Sequence, residues 1–271
     1  MEENRMNEID ENKNAWSKLS EDHYQTFKNR LKDGRNILNT YIEKELGDIQ
    51  GKKIIHLQCN TGVDTITLAQ MGASEVVGVD LVPENVHFAN RLAKENQVEN
   101  VSFLASDIMK LEEAHKETYD VVFTSEGVLG WLPDLQVWAR TIRKLLKDTG
   151  YLYVFDSHPF FLAFDESKLG QQKMELKYPY FGKEPDVDDC IGGYASEVKT
   201  GVKAYFWMHT VSDIINALVS AGLHIEFFNE FTENYYNLGD MEPIKGTGLY
   251  TYEHNKDKYP MSFSLKASVY K

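Results

Sequence analysis

The chain has 271 residues, a net charge of −13, 42% hydrophobic and 26% charged residues, the composition of an ordinary globular protein. The acidic balance excludes a partner gripped through its phosphates, and no apolar run reaches the length of a membrane span, so neither nucleic acid nor a membrane is expected as a partner. The length suffices for one large core or two smaller ones.

Met1-Glu-Glu-Asn-Arg is polar, unlike a signal peptide, and two distant cysteines, Cys59 and Cys190, make no disulfide framework. A cytoplasmic chain with free thiols is expected. Residues 1–50 read as a helical cap: Phe27 and Leu31, then Ile37, Leu38, Tyr41, Ile42 and Leu46, follow spacings of three and four. Trp16 and Tyr24 either pack onto the main domain or close as a lid over a ligand.

The core begins at Lys53-Ile-Ile-His-Leu57, an apolar run that stops at a polar turn, Gln58 to Gly62. A helical pattern follows (Val63, Ile66, Leu68, Ala69, Met71) and ends at Gly72; Glu75-Val-Val-Gly-Val-Asp80 is a second buried strand. Strand, tight loop, helix, strand and a carboxylate about 20 residues past the loop make half of a nucleotide-binding unit. Free N–H groups at a helix N-terminus hold a polar or anionic group, and Asp80 can accept from two ribose hydroxyls. The dinucleotide register G-x-G-x-x-G reads Gln58, Asn60, Val63, with glycine only at 62, so the NAD fingerprint fails.

Pro83 and Glu84 open a helix through Val86, Phe88, Ala89, Leu92 and Ala93. Val101–Ala105 is a third strand, ending at Ser106-Asp107-Ile108, where Asp107 either meets a ligand or caps the next turn. Tyr119–Glu126 is a fourth, followed by Gly127, Gly130, Trp131 and Pro133. Ligands of open α/β sheets sit beyond the carboxyl ends of the strands, which singles out Ser125, Glu126 and Gly127, although Glu126 also suits a local cap or ion pair. Asp134 starts a helix that Lys147 and Gly150 close, and Tyr151–Phe155 is a fifth strand leading to Asp156-Ser-His-Pro159.

From 159 to 208 the alternation stops, and aromatic and acidic residues crowd in. Asp186-x-Asp-Asp lacks the spaced Gly and distal Glu of a calcium loop, so no metal is expected. Ala195–Thr200 and Val202–Trp207 read as a hairpin within an inserted, substrate-covering subdomain. Thr210 and Asp213 have capping-box spacing ahead of a helix stopped by Gly222; Leu223–Phe228 is a sixth strand, and after a Tyr- and Gly-rich connection Ser262–Tyr270 is the last.

The order of these features resembles the class I S-adenosylmethionine-dependent methyltransferases, in particular their bacterial-type small-molecule branch. It rests on the loop after strand one, Asp80, Asp107-Ile108, the fourth strand from Asp120, Leu146-Lys-Asp-Thr-Gly before strand five, and the Ala-Gly-Leu phrase before strand six. Three positions depart from the family's first motif: His56 stands in place of the usual acid, and Gln58 and Asn60 replace glycines. The resemblance implies a Rossmann-like α/β fold with helices on both faces and a seven-stranded sheet of order 3-2-1-4-5-7-6, the last strand antiparallel. Its core would be 51–158 and 209–271, with the cap 1–50 and the insertion 159–208. It implies S-adenosylmethionine as cofactor, S-adenosylhomocysteine as product, and contacts from Trp16, Gln58, Cys59, Asn60, Thr61, Gly62, Asp64, Thr65, Asp80, Leu81, Asp107, Ile108, Ser125, Glu126 and Gly127. The methionine end would lie on the Gln58–Gly62 turn, the ribose on Asp80, and adenine between Leu81 and Ile108 with Asp107 on its amino group.

The acceptor, a small molecule, would face Trp131, His158, Tyr194, Trp207 and His209, with His158, His209 and Glu126 as candidate catalytic groups. The aromatics suit an apolar or cationic body. A monomer or homodimer is expected. Two other classes stay open: a non-catalytic S-adenosylmethionine-binding protein and an NAD(P)-dependent Rossmann oxidoreductase.

Overall fold

A computed structural model of the chain describes residues 2–32, 38–111, 115–192 and 195–270. Tyr194 and Ile37, both singled out above, lie outside the described residues. The sheet's strands are β1 (Lys53–Leu57), β2 (Glu75–Asp80), β3 (Val101–Ala105), β4 (Tyr119–Ser125), β5 (Leu146–Ser157), β6 (Leu223–Phe231) and β7 (Ser262–Val269). They lie in the order β3-β2-β1-β4-β5-β7-β6, with β1 to β5 parallel and β7 antiparallel to both of its neighbours. That is the expected order. The central strands are buried on both faces, which is why they read as apolar runs rather than alternations.

Helices α1 (Glu2–Ser17), α2 (Ser20–Lys32), α3 (Thr40–Leu46), α4 (Val63–Gln70), α5 (Pro83–Glu95), α6 (Leu135–Leu145) and α7 (Val211–Ser220) surround the sheet. One core, with Trp138, Ile142 and Leu218, packs α6 and α7 against one face; another, with Ile42, Leu46 and Leu68, packs α3 and α4 against the other. The capping signals work as read. Asp134 accepts from the amides of Gln136 and Val137, and Thr210 and Asp213 bond reciprocally.

Two boundaries move. β5 starts at Leu146, not Tyr151: Leu146 pairs with Tyr119 and Tyr151 with Val121, so 147–150 bulge out of the ladder instead of closing α6. Lys147 thereby reaches Asp120, its Nζ 2.9 Å from both carboxylate oxygens. The insertion pairs differently from the expected hairpin: Asp186–Asp188 lie antiparallel to Ala204–Phe206, and 195–200 is not a strand. The reason lies far away in sequence. The carboxamide of Asn12 on α1 bonds both backbone groups of Tyr205, accepting from its amide at 2.6 Å and donating to its carbonyl at 2.9 Å. This fixes Ala204–Phe206 against the cap and leaves its other edge for 186–188. Ala15, Leu19, Ile191 and Ala204 form a small shared core beneath.

Candidate active site

Beyond the carboxyl ends of β1, β2 and β4 lies a cavity of about 630 Å³. The loop after β1 shapes it. Gln58 (φ 57°), Asn60 (φ 49°) and Gly62 (φ 79°) are all left-handed, so the loop keeps a glycine-type path where two glycines are missing. Asn60 suits this because its Oδ1 accepts from the Thr61 amide at 2.7 Å. Gly62 is required twice over: a Cβ there would sit 2.6 Å from the Phe103 ring and 2.8 Å from Ala89.

His56 is buried, its Nδ1 2.9 Å from the Thr65 hydroxyl, and burial pushes its pKa down to about 3. It is a neutral structural imidazole and does not substitute for an acid. Acidity enters the cavity elsewhere. Asp64, in the first turn of α4, accepts from the Ser125 hydroxyl at 2.9 Å, and burial raises its pKa to about 6. Glu126, left-handed at φ 61°, accepts from the Asn39 side chain at 3.1 Å; burial, then the charge of Asp64, raises it to about 8. Arg30 from α2 lines the same space and acts favourably on both carboxylates.

Asp80 is more committed than expected. It accepts from the Asn60 amide (2.8 Å), the Val82 amide (2.9 Å) and the Asn85 side chain (3.0 Å), leaving about one of its four lone-pair sites. The Asn85 Oδ1 beside it is buried without a partner, as is Gln58 Oε1. Leu81, Asp107 and Ile108 line the cavity, Asp107 also capping its own turn through the Met109 amide at 2.9 Å. Cys59, Ser125, Gly127 and Trp16 line it too, whereas Thr61, Gly62 and Thr65 lie outside the lining and support it.

A second cavity, of about 890 Å³, opens from the first across Glu126 and Gly127. Trp16, Trp131, Tyr235 and Tyr236 line both. Trp16 meets Trp131 edge-on, ring centres 5.0 Å apart. The seam is held by Asp156 at the end of β5, whose carboxylate accepts from the amides of Gly127 (2.7 Å), Val128 (3.1 Å), Leu129 (2.9 Å) and Ser157 (2.7 Å). Asp156 is thereby a loop anchor.

Trp207 and His209 line the second cavity. His209 donates from Nε2 to the Leu132 carbonyl at 2.8 Å, which leaves Nδ1 as the basic nitrogen, and burial lowers its pKa. His158 lines neither cavity. Its Nδ1 accepts from the Phe160 amide at 3.1 Å, capping the short helix Pro159–Leu162, and its Nε2 lies 2.9 Å from Glu230. The sequence placed His158 near the acceptor because it follows β5; the cap turns its ring away into the sheet. Among the described residues no cluster of three or more His, Cys, Asp or Glu could hold a metal.

Arg30, Asn85, Tyr235 and Tyr236 escaped the sequence reading. Asn85 carried a signal, five residues past Asp80 in the first turn of the next helix. Arg30 is one basic residue of a charged helix, and the tyrosines sit in an irregular connection; nothing local marks them.

A family model described as a methyltransferase domain matches residues 49–187. A ubiquinone biosynthesis O-methyltransferase of Shewanella sp. (strain ANA-3) is 28% identical over 139 residues, 51% of this chain and 58% of that protein. An uncharacterized RNA methyltransferase of Clostridium acetobutylicum is 36% identical over 90 residues, 33% of this chain and 19% of that protein. The chain thus spans less than two thirds of the length of either relative. In fold it is similar to an S-adenosylmethionine-dependent methyltransferase structure from Mesorhizobium loti, with a TM-score of 0.55 and 19% identity over 84% of this chain and 95% of that one. Sheet order, glycine-type loop and family match agree: the chain belongs to the methyltransferase domain family.

Proposed function

We propose that this protein transfers a methyl group from S-adenosylmethionine to a small-molecule acceptor. The observation that carries this reading is the joining of two cavities at Glu126 and Gly127, one of them built on the family's nucleotide loop. The residues of the first cavity fit the cofactor. Asp80 has an acceptor site left, and the orphaned Asn85 Oδ1 beside it offers a second, so the two together suit a ribose diol. Leu81 and Ile108 flank the adenine space, with Asp107 toward its amino group. Arg30 suits the methionine carboxylate. Asp64 takes over the ammonium from the acid that His56 displaced.

When bound, the cofactor supplies a methyl already activated on a sulfonium, so the chain's own task is proximity, orientation and exclusion of water. Trp16 and Trp131 close the seam, and Asp156 fixes the Glu126–Gly127 turn that aims the acceptor. Glu126 at the seam, and His209 through Nδ1, are the groups positioned to take a proton from it; His158 is left to its helix cap. In this reading 1–50 form the cap, 51–158 with 209–271 the core, and 159–208 the cover of the acceptor space. The enzyme works in the cytoplasm as a monomer or homodimer.

The test is calorimetric titration with S-adenosylhomocysteine, NADH serving as control. Micromolar binding of the first and none of the second is expected. Binding of NADH alone, or of neither, would overturn the reading.

A further inference from the structure

We infer that the second cavity selects a protonated amine on an apolar body, and that the amine nitrogen is the methyl-accepting atom. This rests on the methyl-transfer reading above. Three observations point the same way. First, the walls are aromatic: Trp131, Trp207 and Tyr235 face the space into which an acceptor must come. Ring faces attract a cation, by about 0.5–2 kcal/mol each when water is excluded. Second, seven carboxylates and only two lysines line the cavity, and the whole chain carries −13, so an anionic acceptor is repelled at every range. Lys177 is already seated over the Tyr178 ring, 4.7 Å from its centre, and coulombically stabilises Glu166; among the described residues it is one of the two cationic side chains facing the acceptor.

Third, the carboxylates differ in how they are used. Asp156 is spent on four backbone amides. Glu126 at the seam has one side-chain partner on Oε1, and Glu166, which also lines the cavity, accepts from the Tyr236 hydroxyl at 3.2 Å. A buried carboxylate short of partners gains most from a ligand that brings both charge and N–H donors. An ammonium at the seam does that for Glu126. The protonation balance also closes. Once seated, the ammonium displaces to water the proton that Glu126 holds in the empty site; it then gives one of its own protons to the Glu126 carboxylate, and the freed nitrogen lone pair forms the new N–C bond. The C–S bond breaks with its electrons remaining on sulfur, so the positive charge passes from sulfur to nitrogen. Glu126 then releases its proton to water.

The experiment uses the full chain saturated with S-adenosylhomocysteine, titrated with benzylamine, phenethylamine and tryptamine, and then with the alcohol and the carboxylate corresponding to each. At least one amine is expected to bind about tenfold or more tightly than its alcohol, and the carboxylates not at all. Glu126→Gln should shrink that preference to less than about threefold, and Glu166→Gln should weaken the amine without altering S-adenosylhomocysteine affinity. With S-adenosylmethionine, the selected amine should gain one methyl by mass spectrometry. Alcohols or carboxylates binding as well as the amines, or no amine binding to protein that does bind S-adenosylhomocysteine, would overturn the inference and leave the methyl-transfer reading standing. Failure to bind S-adenosylhomocysteine would remove both.

Discussion

Glu126 concentrates the site's electrostatics in one side chain. It sits at φ 61° on a turn fixed by Asp156, next to Asp64, with burial the main cause of its raised pKa. Its ordinary value is 4.5 and its folded value about 8. Between those two, the folded chain holds a proton that the unfolded chain has released. Stability therefore falls as pH rises through that window, the reverse of a salt-bridged acid. The substitution Glu126→Gln mimics the neutral acid at all pH values. The wild type should accordingly lose on the order of 2 kcal/mol more stability than Glu126→Gln between pH 5 and pH 8, less than the full shift implies because the carboxylate borders an open cavity. Denaturant unfolding at the two pH values measures this. Parallel loss in both proteins would show that Glu126 is ionised in the fold at little cost, and the proton-accepting role proposed for it would then need no pKa tuning.

At the scale of elements, what was legible in the sequence was what burial and capping write locally. The central strands β1, β2 and β4 announce themselves because both faces are covered, and Asp80 and Glu126 because they stand at the ends of such strands. The pairing within the insertion was not legible. Asp186 and Asp188 are exposed and read as loop, yet they form a strand, because its partner Ala204–Phe206 is held by Asn12 across 193 residues of sequence. The histidine after β5 shows a related limit: its neighbours Ser157 and Pro159 line the second cavity, while its own ring caps the short helix and packs against Phe228 and Phe263. The Asn12 clasp can be tested directly. Asn12→Ala strands both backbone groups of Tyr205, at about 1 kcal/mol or more apiece. Limited proteolysis between 183 and 206 should then speed by about tenfold or more, with S-adenosylhomocysteine affinity much less affected. Unchanged cleavage would mean that the shared core of Ala15, Leu19, Ile191 and Ala204 holds the insertion to the cap without the clasp.

At the scale of the whole molecule, the choice of acceptor class turns on charge and enclosure together. One relative is described as an RNA methyltransferase, yet the match spans 90 residues, a third of this chain and 19% of that protein. An RNA substrate needs a surface that releases counterions, which takes several Lys or Arg side chains around the entrance. Here the total is −13, the described lysines nearest the acceptor space are Lys177 and Lys199, and carboxylates surround them. Enclosure argues the same way. Trp16 and Trp131 meet over the seam, while the clasped Ala204–Phe206 and the loop bearing Tyr235 and Tyr236 wall the rest, an enclosure that suits the proposed small-molecule acceptor better than a polymer lying on the surface. A single-stranded RNA of about 20 nucleotides should accordingly show no binding by fluorescence anisotropy at about 50 mM salt and up to about 10 µM protein, the conditions most favourable to phosphate contacts. Micromolar binding that weakens steeply with added salt would reveal a basic track that the net charge conceals, and would move the acceptor from the pocket to the surface.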